Sequence, residues 1–194
     1  NRDYAFSFLQ DIPLGDPPRL EGYLFPDTYK FYMGEDPKYV INKMLVNFDS
    51  KVDDAVRQKI SETGYSIRDI LTIASMIEKE TDGTDRTTIA SVIYNRLNNP
   101  GASTAGYLQI DATIQYVLPE GKIVQESDYQ GVDSPYNTYK NKGLPPGPIA
   151  NPGMESITAA LNPQSTNYYY YALGDDHLHH FFSSYAEHQA FLNS

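Results

Sequence analysis

Apolar residues recur at helical spacing in three stretches of the chain. Val40, Ile41, Met44, Leu45, Phe48, Val52, Val56 and Ile60 form the first stripe. Ahead of it, Asp36-Pro37 supplies an N-cap followed by proline at the first helical position. The pattern predicts one helix from there to Gly64, a residue suited to a helix end. Ile67, Ile70, Leu71, Ala74 and Ile77 form the second stripe, opened by Ser66-Ile67-Arg68-Asp69. That tetrad resembles a capping box with Asp in place of the usual Glu or Gln. The predicted helix runs to about Thr81, where Asp82-Gly83 breaks it. Ile89, Val92, Ile93 and Leu97 mark a third helix from near Asp85, stopped by Asn98-Asn99-Pro100-Gly101.

Shorter signals fill the rest. Residues 20–32 alternate aromatic and polar positions around Pro26-Asp27, which predicts two short strands about a turn. Asp111 reads as the N-cap of a short helix through Leu118, halted by Pro119. Asn151-Pro152 opens a helix over residues 154–161, closed by Asn162-Pro163. Residues 168–173 and 180–183 read as a hairpin across Gly174-Asp175-Asp176, followed by a short helix over 185–192. Residues 1–19, with Pro13, Pro17 and Pro18, read as an irregular lead-in from a missing N-terminal region. The expected fold is α+β: a helical body over residues 20–194 with short strands near both ends of the chain.

Composition narrows the function classes. A net charge of −10 argues against nucleic-acid binding, which needs a basic face, and against docking on anionic lipid by charge alone. With no Cys there are neither disulfides nor thiolate chemistry. No apolar run approaches the ~18 residues needed to span a bilayer, and no signal peptide is visible. The chain starts at Asn1 without Met, so it reads as an excised fragment whose anchor, if any, precedes Asn1. The 17 Tyr with no Trp suit a wet, hydrogen-bonding binding face.

Candidate chemistry gathers in two places. Residues 136–149, Tyr-Asn-Thr-Tyr-Lys-Asn-Lys-Gly-Leu-Pro-Pro-Gly-Pro-Ile, combine three prolines that fix φ with tyrosines and asparagines. Such a rigid loop suits a polar polymer such as a glycan, or serves as a structural Ω-loop. Glu78 and Glu80 lie near the end of the second helix. At i and i+2 they point about 200° apart, so only one can face a given cleft, and periodicity does not choose between them. Glu78 and Glu80 read either as solvated glutamates or as one half-buried acid with a raised pKa. His177, His179, His180 and His188 form a further cluster, with His177 and His179 expected on one strand face. Turn and strand-edge histidines are the common case, and no metal is assigned.

The ordered segments LEGYLFPDTY (residues 20–29), ASMIEKET (74–81), SVIYNRL (91–97), LQID (108–111), YNTY (136–139) and GLPPGPI (143–149) together resemble the YceG-like (MltG) endolytic murein transglycosylases, relatives of the lysozyme-like lytic transglycosylases. They span most of the chain. The resemblance implies a lysozyme-like catalytic domain and a peptidoglycan lytic transglycosylase. That enzyme would cleave the MurNAc–GlcNAc β-1,4 bond within glycan strands and form a 1,6-anhydro-muramyl end. It implies Glu80, immediately before Thr81, as the catalytic acid, with Glu78 structural or behind it. It implies Gln109 in the cleft and Tyr136, Asn137 and Tyr139 as substrate contacts. Asn95 and Arg96 read as contacts to loop or sugar, or as a buried structural pair. No cofactor is implied. The partners implied are peptidoglycan strands and cell-wall synthesis proteins, with a single-pass membrane anchor outside this chain and the domain on the extracytoplasmic face. Two other readings stay open: a non-catalytic glycan-binding or scaffold domain, and a hydrolytic muramidase using Glu80 with Asp111.

Overall fold

A computed structural model describes residues 4–10, 12, 19–81 and 83–194. Among them the order is a 3-10 turn, Ser7–Leu9, then α1 Pro37–Lys51, α2 Asp54–Thr63, α3 Ile67–Glu80, α4 Arg86–Asn98, α5 Asp111–Gln115, α6 Glu126–Gly131, α7 Met154–Leu161, β1 Tyr170–Leu173, β2 His179–Phe182 and α8 Tyr185–Leu192. The fold is α+β. Its sheet is one antiparallel hairpin, with Tyr170 opposite Phe182 and Leu173 opposite His179.

Helix α3 is the axis of the body and touches α2, α4, α5 and α7. Its capping box is complete: Ser66 accepts from the Asp69 backbone, and Asp69 accepts from that of Ser66. All of Ile70, Leu71, Thr72, Ile73, Ala74, Ser75, Met76 and Ile77 are buried, so the helix is covered on every side. The two hydroxyls in that run donate to backbone carbonyls, Thr72 to Arg68 at 2.7 Å and Ser75 to Thr72 at 2.8 Å. Burial without an orphaned polar group is what lets a polar residue sit in this axis.

Three expectations are corrected. The long first helix is two, because the Asp53 carboxylate accepts from Val56 N at 2.9 Å and starts a new helix. The kink sends Val52 and Ile60 both into the core. The strands expected in residues 20–32 do not form, so the described strands lie only toward the C-terminal end. Asn151 Oδ1 takes the N–H groups of Gly22 and Leu24 at 2.8 and 3.0 Å, which a ladder would need, and Pro26 has none to give. The aromatic alternation instead drops Tyr23 and Phe25 into the core. Finally, His177 sits in the hairpin loop with φ 61°, outside β2, and shares no strand face with His179.

Part of the segment read as a lead-in packs inward. Tyr4, Phe8, Leu9 and Ile12 are buried, and the Phe8 ring lies 5.6 Å from Tyr23 and 4.8 Å from Phe48. Arg19 ties this segment by donating to the Ile12 and Leu9 carbonyls at 3.1 and 3.0 Å. Pro13, Pro17, Pro18 and Asp82 lie outside the described residues. Helix α6 had no periodic signal at six residues; it is set by a Gln125–Asp128 capping box and the 2.6 Å Lys122–Asp128 pair.

Candidate active site

Helix α3 emerges from the core at its last turn, and that turn carries Glu80. Burial pushes the Glu80 carboxyl above its ordinary range, and the nearby Asp111 charge pushes the same way. Three neighbours pull against them: the Tyr171 hydroxyl, which donates to Glu80 Oε2 at 2.7 Å, the His179 ring, and the Ala112 N–H. Each arrives on a different element, β1, β2 and α5. Burial and the Glu80 charge in turn hold the Tyr171 hydroxyl well above its ordinary pKa, so it serves as a donor.

His179 is fixed from below. Its Nδ1 lies 2.7 Å from Asp85 Oδ2, and Asp85 Oδ1 accepts from the Thr81 hydroxyl at 2.7 Å. The His179 ring stands edge-on to Tyr171, with centroids 5.7 Å apart. Thr81 therefore links the end of the glutamate helix to the hairpin.

Glu80 faces two adjoining cavities, of about 600 and 690 Å³. Lys79, Gln115, Tyr116 and Ile149 help line the first; Gln109, Tyr129, Tyr139, Tyr171 and His179 help line the second. Glu80 and Asp111 belong to both, so one groove passes the glutamate on either side.

Asp111 is corrected from N-cap to first residue of α5: Ile110 occupies the cap, and α5 ends at Gln115 rather than Leu118. The Asp111 carboxylate accepts from the Tyr139 hydroxyl at 2.5 Å and the Tyr129 hydroxyl at 3.2 Å. Those two rings stack with centroids 4.1 Å apart and planes 4° from parallel. Burial and the Asp111 carboxylate both push the Tyr139 hydroxyl up, which keeps it a donor. Gln109 is exposed beside them at φ 51°, a strained left-handed backbone for a non-glycine residue.

The other expected site residues go elsewhere. Glu78 turns to the N-terminus of α7, accepting from Ser156 Oγ at 2.6 Å and Gly153 N at 3.2 Å. Asn137 is fully buried; its amide donates to the Tyr129 and Val132 carbonyls at 3.1 and 2.8 Å and accepts from Tyr139 N at 3.0 Å. It shapes the wall and cannot touch a ligand in the groove. Tyr136 packs behind the wall on Tyr116, at 5.0 Å between rings. Asn95 donates to the Thr166 and Tyr168 carbonyls at 3.0 and 2.9 Å. Arg96, at 6% exposure under the groove, donates to the Tyr169 and Leu108 carbonyls. Asn95, half-buried, thus holds backbone, while the buried Arg96 also forms part of the groove floor beside Glu80.

The loop over residues 136–149 divides in two. Its first half carries Tyr139 on the groove. Its second half packs on the body, where Arg68 Nε donates to the Pro146 carbonyl at 3.1 Å and Ile149 N donates to Ser75 at 3.0 Å. Gly22 is required by contact, and Gly147 lies close to a side-chain end that can move. A Cβ on Gly22, whose φ is 89°, would lie 2.5 Å from Pro148, and one on Gly147 would lie 2.4 Å from the Arg68 guanidinium. Of the residues around Glu80, Tyr171 and Asp85 were not foreseen. The signal available for Asp85 was its i+4 spacing from Thr81.

No group of three or more His, Asp or Glu side chains among the described residues is placed to hold a metal ion. The arrangement is a helical domain with a groove built round one half-buried glutamic acid. Residues 4–194 match the YceG-like family, and the chain belongs to that family. It is 43% identical over 154 residues to a Bacillus subtilis (strain 168) protein named endolytic murein transglycosylase, covering 78% of this chain and 41% of the relative. A Streptococcus pneumoniae serotype 2 (strain D39) protein of the same name is 34% identical over 178 residues, covering 86% of this chain and 31% of its own length. The chain thus spans less than half the length of these curated relatives. The crystal structure of a putative YceG-like protein from Listeria monocytogenes superposes with a TM-score of 0.81 at 39% identity, covering 89% of this chain and 55% of that one.

Proposed function

We propose that this domain is an endolytic lytic transglycosylase of peptidoglycan, with Glu80 as its acid. The observation that carries the reading is Glu80 itself: a carboxyl pushed up by burial, fixed by Tyr171, where two open cavities adjoin. A carboxylic acid whose pKa is raised by burial is a better-held proton donor to a leaving oxygen than a solvated one.

The step balances without water. Glu80 gives its proton to the bridging glycosidic oxygen as the C1–O bond breaks. The muramyl 6-hydroxyl oxygen then bonds to C1, and its proton goes to the Glu80 carboxylate, restoring the acid. Because the nucleophile is part of the substrate, its proximity replaces a second protein group. The exposed Gln109 and the groove-facing Tyr139 are the ligand contacts of this reading, since both line the cavity beside Glu80. Residues 20–194, with the segment from Tyr4 packed into their core, are taken as the catalytic unit, acting on glycan strands at the extracytoplasmic face of a membrane and alongside wall-synthesis proteins. No helix among the described residues is long and apolar enough to cross a membrane.

The test is to incubate the protein with purified glycan strands and analyse the ends by mass spectrometry. Anhydro-muramyl ends are expected. Reducing ends identify a hydrolytic muramidase, and intact strands with retained binding identify a scaffold.

A further inference from the structure

The groove holds a second acid that the single-glutamate reaction leaves without a task. Asp111 shares both cavities with Glu80. The next residue, Ala112, donates its N–H to the Glu80 carboxylate. Asp111 is not the cap of α5, a place that Ile110 holds. Its two oxygens instead accept from two different tyrosine hydroxyls, Tyr139 at 2.5 Å and Tyr129 at 3.2 Å. Donors on both oxygens hold the carboxylate in one orientation.

We infer that Asp111 is a second working carboxylate of this groove: a fixed negative charge set against the positive charge that develops at the anomeric carbon when Glu80 protonates the bridging oxygen. This rests on the reading of Glu80 as the acid. Asp111 neither takes a proton nor forms a bond in the step; its engaged oxygens leave it poorly suited as a base. Acting through the field, it has the charge sense that a preorganised site requires.

The groups facing this pair come from every side. Lys79 flanks Glu80 on α3, Arg96 lies beneath on α4, and Glu126 and Tyr129 stand on or beside α6. Tyr139, Tyr170, Tyr171 and His179, with Tyr185 and His188 of α8, complete the ring. Among them, Asp111 is the acid whose charge adds to burial in raising Glu80. Removing that charge eases ionisation of Glu80, so the alkaline limb of activity moves to lower pH.

The experiment compares Asp111→Asn, Tyr139→Phe and Glu80→Gln in glycan cleavage, with pH profiles of kcat and kcat/KM. Asp111→Asn is expected to lower kcat on the order of 10²-fold, leave KM nearly unchanged and shift the alkaline limb acidward. Tyr139→Phe, which keeps the charge and drops one hydrogen bond, is expected to cost much less. Asp111 is exposed at a short helix, and Asp111→Ser serves as a second neutral variant should the Asn form fold poorly. If Glu80→Gln is inactive while both neutral Asp111 variants keep the parent's rate and profile, the inference fails and the acid assignment stands. If Tyr139→Phe falls as far as Asp111→Asn with no pH shift, Asp111 is only an anchor for the tyrosines, which also overturns it. If Glu80→Gln retains activity, the reading beneath it fails first.

Discussion

The helical body and the C-terminal lobe, β1 to α8, are held by opposite means. The body closes on α3, whose eight residues from Ile70 to Ile77 are all buried. Helix α8 has no buried residue at all. Beyond the burial of Tyr170 and the packing of Phe181 on the core, the lobe and the segment leading into it are tied by polar bonds: Asn95 and Arg96 to the carbonyls of residues 166–169, Ser103 to the Tyr170 hydroxyl at 2.6 Å, His179 to Asp85, and Tyr171 to Glu80. Apolar burial fixes where the acid sits. Directional bonds fix what touches it. Each such bond contributes only ~0.5–1.5 kcal/mol net, so the lobe can loosen while the body stays folded.

The largest effect tests the body. Ile73→Ala empties a site with no exposure and should cost ~2–5 kcal/mol in urea unfolding. A cost below about 1 kcal/mol would mean that the axis collapses around the gap. Next comes Asn137→Ala, which leaves the Tyr129 and Val132 carbonyls without their donor and should cost ~1–3 kcal/mol. The same unfolding series checks it, and a neutral result would return residue 137 to the surface. Smaller still is Asp85→Ala, which frees His179 and Thr81. Amide exchange should quicken across residues 170–182 and not across α3. Equal quickening in both would erase the contrast between the regions.

A pH series sharpens the boundary where the two regions meet. The folded-state pKa of Glu80 is raised, so its contribution to stability is fully present below its unfolded value near 4.5 and is lost as pH rises through the folded value. Glu80→Gln removes that dependence. Relative to the parent, the variant should gain stability from about pH 4.5 upward and plateau above the folded pKa, as read from melting temperatures across pH. A stability difference that stays flat across that range would mean that Glu80 ionises as freely in the fold as in the unfolded chain.

The same division explains what could be read from the chain. Helices α3, α4, α7 and α8 announced themselves through stripes, caps and stops, because those are local. The break at Asp53 was hidden: its cap lies inside a stripe that continues in phase through Val56 and Ile60. The alternation over residues 20–32 looked like strands, since nothing local reveals that Asn151, far along the chain, takes the N–H groups of Gly22 and Leu24. At the site, family likeness pointed to Glu80, and the structure adds its burial. Tyr171 meets it across 91 residues, a contact with no period to betray it. Asn137 looked like a ligand contact because an asparagine beside tyrosines reads the same whether its amide faces a sugar or the loop's own carbonyls.

The central claim is that the half-buried Glu80 is the proton donor of the groove. Its most direct test is the pH dependence of glycan cleavage by the parent and by Glu80→Gln, which keeps the shape and removes the proton. The account predicts that the parent loses activity on an alkaline limb set by the raised Glu80 pKa, and that the variant is slower by at least ~10²-fold with no such limb. Near-parental turnover by Glu80→Gln, with the limb intact, would contradict it.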